Sequence, residues 1–120
     1  MTRRTTRTVV FAGLAMAIGA SAAFAHHGWS EYDSSKTLDL TGTIRESGYE
    51  HPHGHIRLES ADKTWFVVLA PPTRMANRGL PASALKNGVR VSVVGYPNRN
   101  KPEEMRAERI TVDGKTVELR

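Results

Sequence analysis

All five histidines of this 120-residue chain fall into two short groups, His26-His27 and His51-Pro52-His53-Gly54-His55. Neutral imidazole is the commonest protein ligand for a metal ion, and nitrogen-rich sets suit copper(II), which tops the divalent affinity order. In an extended segment, residues two apart lie on one side. His51, His53 and His55 are therefore expected on a common, solvent-facing side continued by Arg57 and Glu59, with Ile56 and Leu58 turned into the core. Pro52 and Gly54 can bend the chain, so the shared face is firmest for His53 and His55. The chain has no cysteine, which excludes disulfides, thiolate metal sites, iron–sulfur clusters and a cysteine nucleophile. An ion held here would be copper first and zinc second, bound through His26, His53 and His55, with His27 and His51 as possible contributors.

What His26 can do depends on where the mature chain begins. Residues 1–8 carry Arg3, Arg4 and Arg7 and no acid, and an apolar run from Val9 to Ala20 follows. That run is too short to span a bilayer, which takes roughly 20 residues. Small residues then lead to Ala23-Phe24-Ala25. A basic start, an apolar middle and an Ala-x-Ala end make a secretory signal peptide over residues 1–25, with an uncleaved membrane anchor as the competing reading. The Arg3-Arg4 pair alone does not establish twin-arginine export. Cleavage after Ala25 makes His26 the first residue, whose α-amine and ring nitrogen can chelate one ion together. Cleavage after Ala22, the less favoured alternative, would leave His26 internal and remove that chelate.

Export also changes the electrostatics. The whole chain has a net charge of +5, but losing three arginines leaves fourteen basic against twelve acidic residues, a net +2. The case for nucleic acid as a partner goes with the signal peptide. The expected location is the periplasm, without a stable membrane anchor, and stability there must come from packing alone.

The remaining residues divide into an arm, 26–36, and one domain, 37–120. Thr37 to Glu46 alternates Leu38, Leu40, Gly42 and Ile44 against polar residues, the period of a half-buried strand. Gly48 to Gly54 reads as a turn, and His55 to Glu59 alternates again. Ala61-Asp62-Lys63 makes a hairpin into Thr64–Leu69, apolar on both faces and so expected to be the most buried strand. Pro71-Pro72 stops it, Thr73 is placed to cap a short helix through Arg78, and Gly79 to end that helix. Ser83 to Gly88 suggests a further helical turn. Val89–Tyr96 and Met105–Val112 are the fourth and fifth strands, and Asp113-Gly114 turns the chain into Lys115–Leu119. Three strands, a helical connection and two strands is the order of a small all-β, five-stranded Greek-key barrel, the OB-fold, with a β-sandwich or open meander as the alternative.

Competing uses of these residues remain open. The histidines can be solvated, a polar turn bonded to its own backbone, or a pH-sensitive surface. Trp29, Tyr32, Tyr49, Trp65 and Tyr96 could form a face for a sugar, an envelope polymer or a partner protein, although Trp65 reads as core. Met75 and Met105 could be soft copper(I) ligands or gap-fillers. Arg74, Arg78 and Arg99 could meet an anion or be a solvated face. No Gly-x-Ser-x-Gly elbow, phosphate loop or His-Glu-x-x-His helix is present, so a binder is expected rather than an enzyme.

Several landmarks recur together: Ala25-His26-His27 followed by Trp29 and Asp33; Leu40-Thr41-Gly42-Thr43-Ile44; Pro52-His53-Gly54-His55; Arg78-Gly79-Leu80; and Lys86-Asn87-Gly88-Val89-Arg90-Val91. In these the chain resembles a bacterial family of small exported proteins known only as a domain of unknown function. The family commonly has Asn where this chain has His51, which adds a candidate ligand. The resemblance implies an exported barrel-like domain and carries no established activity. The functional expectation is a periplasmic copper-holding or copper-delivering protein, with a non-metal binding module as the alternative.

Overall fold

The computed structural model describes Thr2 and residues 28–120; the rest of the segment expected to be a signal peptide, and His26-His27, lie outside the described residues. A 3-10 turn, Trp29–Glu31, precedes six strands: β1 Leu38–Gly48, β2 His55–Glu59, β3 Thr64–Val68, β4 Arg90–Pro97, β5 Glu104–Val112 and β6 Lys115–Glu118. Between β3 and β4 come a short helix, α1 (Pro72–Asn77), and a 3-10 turn, Ala82–Leu85.

β1 pairs antiparallel with both β2 and β4, β3 adds to β2, and β5 adds to β4. Parallel pairing of β3 with β5, through Phe66–Glu104, Val67–Met105 and Val68–Arg106, closes the ring. The result is the expected five-stranded OB-like barrel with the helix between strands 3 and 4. β6 lies outside the ring as a hairpin on β5. Closure leaves few open strand edges, which suits a domain with this modest apolar content.

Alternation decides what fills the barrel. Ile44, Ile56, Leu58, Val67, Val93, Met105 and Ile110 are wholly buried, and Trp65 is core as its pattern suggested. Met75 and Leu80 from the helical connection join the same core. β3 is less uniformly buried than its composition suggests. Trp65 and Val67 point inward, while Phe66 and Val68 are half-buried on the outside, Phe66 beneath the His55 ring and the Arg57 guanidinium.

The helix also starts differently. Pro72 occupies its first turn, where a missing N–H costs nothing, and no side chain caps it, so Thr73 is not the cap. Gly79, at φ 84°, ends the helix as its position indicated, and Leu80 N–H returns to Met75 O at 2.8 Å. Among the described residues no helix is long and apolar enough to cross a membrane.

Candidate functional site

The connection between β1 and β2 carries His51 and His53, and its end is fixed to the barrel. Gly54 N–H donates to Ala70 O at 2.9 Å, and Leu69 N–H donates to Gly54 O at 2.8 Å. A Cβ at Gly54 would press on the Met75 methyl at 2.5 Å, so glycine here lets the loop lie against α1 with Met75 undisturbed. Tyr49 braces the other side, its hydroxyl 2.6 Å from Leu80 O and 3.2 Å from Pro72 O. That engages Tyr49 in holding the helix rather than presenting it to a ligand.

His53, so placed, is half-buried over β5, with Nε2 3.3 Å from Arg106 Nη2. An arginine N–H can only donate, so Nε2 accepts and the imidazole carries its proton on Nδ1. Burial first, then the charges of Arg106 and Arg74, lower the proton affinity of His53 below the ordinary histidine value. All three causes favour the neutral ring, the form able to bind a metal.

Arg106 is the unusual member. It sits on the outward side of β5 yet is only 7% exposed, because the arm folds over it. The Trp29 ring centroid lies 4.2 Å from Arg106 Cζ and 4.7 Å from Arg120 Cζ, and Tyr96 meets Trp29 edge-on at 6.2 Å. Arg74 lies near enough to act on both His53 and Arg106, and its Nη1 donates to Leu119 O at 3.0 Å.

The arm is tied down by backbone pairing. Asp33 N–H reaches Pro97 O and Arg99 N–H reaches Glu31 O, each at 2.9 Å, while Arg99 Nε donates to Ser30 O at 3.1 Å. Tyr32 is 6% exposed and donates to Glu104 Oε2 at 2.8 Å, which also accepts from Asn98 Nδ2 at 2.9 Å. Burial, followed by the bond to Glu104, pushes the Tyr32 phenol well above its ordinary range. A raised folded value means its stabilising contribution is full below about pH 10 and is lost as the pH rises through the folded value. In absorbance titration, Tyr32→Phe should remove the last phenolate to appear. The wild type should lose more stability than Tyr32→Phe as the pH is raised above about 10.

The other histidines have separate fates. Strand alternation begins at His55, so His55, Arg57 and Glu59 share the outer face as expected, while His51 and His53 precede the strand. The His55 ring stacks on Phe66 with centroids 5.0 Å apart and planes at 24°, and it occupies the space a Cβ on Gly48 would need. His51 is exposed. Among the described residues, no three His, Asp or Glu side chains gather into a metal-holding group. Met75 and Met105 are both fully buried, as gap-filling residues would be.

Of the arginines read as a solvated face, Arg74, Arg78 and Arg99 all donate to backbone carbonyls. Arg106 and Arg120 escaped sequence reading. An arginine at an outward position between Glu104 and Glu108 looks like an ordinary exposed residue, and the sequence holds no local sign of the tryptophan that covers it.

Comparison with known proteins supports the architecture. No curated protein matches the sequence. The TiaS chain of the TiaS–tRNA–ATP complex is 20% identical with a TM-score of 0.50, over 74% of this chain and 20% of that one. A chain of the S. pombe Stn1–Ten1 complex is 17% identical with a TM-score of 0.51, over 63% of this chain and 57% of its own. This chain thus spans a fifth of the first and just over half of the second. At such identities the likeness is one of fold alone. A family model matches residues 14–106, a span that includes Trp29, His53 and Arg106. The chain belongs to that family, a family of unknown function (DUF6152).

Proposed function

We propose that the mature chain is a periplasmic, non-catalytic metal-holding protein, with copper as its ion in preference to zinc. His26 and His53 are its central ligands, with His27 and His51 as contributors. The observation that supports this reading is that Trp29 and His53 flank one guanidinium, that of Arg106. His26 lies three residues before Trp29, and three residues span at most about 10 Å. An amino terminus created at His26 therefore begins within reach of His53. The α-amine and ring of His26 supply two nitrogens and His53 a third, a set that suits tetragonal copper(II). His51, exposed nearby, can complete it; His55 is committed to Phe66.

Arg106 sets the terms of binding. A metal at His53 Nε2 must take that lone pair from Arg106 and share the site with a fixed positive charge. Both requirements lower affinity and keep the ion exchangeable, as holding and handing on require.

The test is titration of copper(II) into the mature protein, exported with its own signal and with His26 confirmed as the first residue by mass spectrometry. The expected result is a one-to-one complex with an all-nitrogen tetragonal electron paramagnetic resonance signal. His53→Ala should weaken it by about tenfold or more, the scale of a lost site interaction, while His55→Ala leaves it unchanged. Absence of saturable binding, or binding indifferent to His53, would overturn the proposal.

A further inference from the structure

The arginines of the outer barrel surface differ in how their charge is met. Arg45 pairs with Glu59 at 2.7 Å, Arg57 with Glu46 at 3.3 Å and Arg109 with Glu118 at 3.0 Å. Arg106 is more buried than any of these and has no acidic partner among the described residues. Its side-chain bond is to the neutral His53 ring, and its Nε is buried without an acceptor. The acids two residues away on either side along β5 are both turned elsewhere. Glu104 takes Tyr32, Asn98 and Lys101. Glu108 takes Arg120, at 3.7 Å, and the Tyr96 hydroxyl.

Two further guanidiniums stand beside this unpaired charge. Arg74 donates to a neutral carbonyl, and Arg120 shares the Trp29 ring with Arg106. Glu108 meets Arg120, while Arg106 and Arg74 have no carboxylate partner among the described residues. A buried charge is ordinarily paired, and arginine's planar fork matches carboxylate and phosphate oxygens.

We propose that Arg106, with Arg74 and Arg120, forms an oxyanion site beside Trp29 that binds a ligand through a carboxylate or phosphate group. The Trp29 ring keeps the guanidinium out of bulk water, where a charge-assisted bond is stronger. The ligand class is an acid, recognised through a carboxylate or a phosphate group. This site rests on different observations from the metal site and stands without it.

Its test uses mature protein freed of metal on a chelating resin, since a soluble polycarboxylate chelator would itself be a ligand. Inorganic phosphate, sulfate and malonate are titrated separately at constant ionic strength against chloride, following Trp29 fluorescence and backbone amide shifts. Saturable changes centred on residues 29, 74, 106 and 120 are expected. A response to malonate above phosphate identifies a carboxylate ligand, and the reverse a phosphate. Arg106→Met should abolish the response with the fold intact by circular dichroism, and Arg74→Gln should weaken it by about threefold to tenfold, the range of one hydrogen bond to a charged group. Shifts that only track ionic strength, or that persist in Arg106→Met, would overturn the proposal. The metal reading is tested separately by the same variant: Arg106→Met frees His53 Nε2 and should raise copper affinity while removing oxyanion binding.

Discussion

Four extra residues ahead of His26 should lower copper(II) affinity by about two orders of magnitude or more, because ligands linked in one chelate gain roughly 10²–10⁴ over the same ligands acting singly. The amine–imidazole chelate exists only if His26 is the first residue. A four-residue Gly-Ser extension moves the amine away and leaves His26, His27 and His53 as separate imidazoles. A shorter extension is a poor test. One added residue makes His27 third in the chain, and two make His26 third. From that place the amine, the intervening backbone amides and the ring can wrap copper(II) on their own. The extended protein should fold normally, since the barrel and the pairing of its arm begin after residue 27. Affinity unchanged by the extension would remove the amino terminus from the site, and calorimetry of both proteins decides it.

Leu119→Ala should destabilise the fold by about 2–5 kcal/mol, the usual cost of emptying a well-packed leucine site. Leu119 is 2% exposed, and its N–H bonds Glu108 O at 2.8 Å, so the chain beyond β6 stays docked beside β5. Leu119 O accepts from Arg74, and the carbonyls of Glu118 and Arg120 accept from Arg78 Nη1 at 2.7 and 3.0 Å. Emptying the leucine pocket therefore also loosens the segment that lays Arg120 on Trp29. Arg78→Ala provides the contrast. Its bonds are exposed and compete with water, so its cost should stay near or below about 1 kcal/mol. Urea unfolding of the two variants separates apolar packing from surface tethering. A small effect for Leu119→Ala would mean this segment contributes little to the fold.

The barrel was legible because its cause is local and repeated. Leu40, Gly42 and Ile44, then Ile56 and Leu58, then Val91 and Val93 alternate with residues that prefer water, and sheet geometry turns each set inward. Turns announced themselves in the same way, through Gly79 after the helix and Asp113-Gly114 before β6. The proline pair was harder to read, since Pro72 both ends an extended segment and suits the first turn of a helix.

The candidate site obeyed no such rule. His53 lies before the strand, so period-two counting could not place it, and its partner is 53 residues away. Arg106 has the sequence surroundings of a solvent-facing residue and loses its water only when the arm is pinned across β4 and β5, in part by Tyr32 bonding Glu104, 72 residues on. Residue types and their spacing specify the strands, the inward side of each and the two histidine groups, because these follow from chain geometry and side-chain solubility over a few residues. The meeting of His53 with a buried arginine beneath Trp29, unpaired with any acid, arises from long-range packing, because burial of an outward-facing residue depends on which distant segment comes to lie on it.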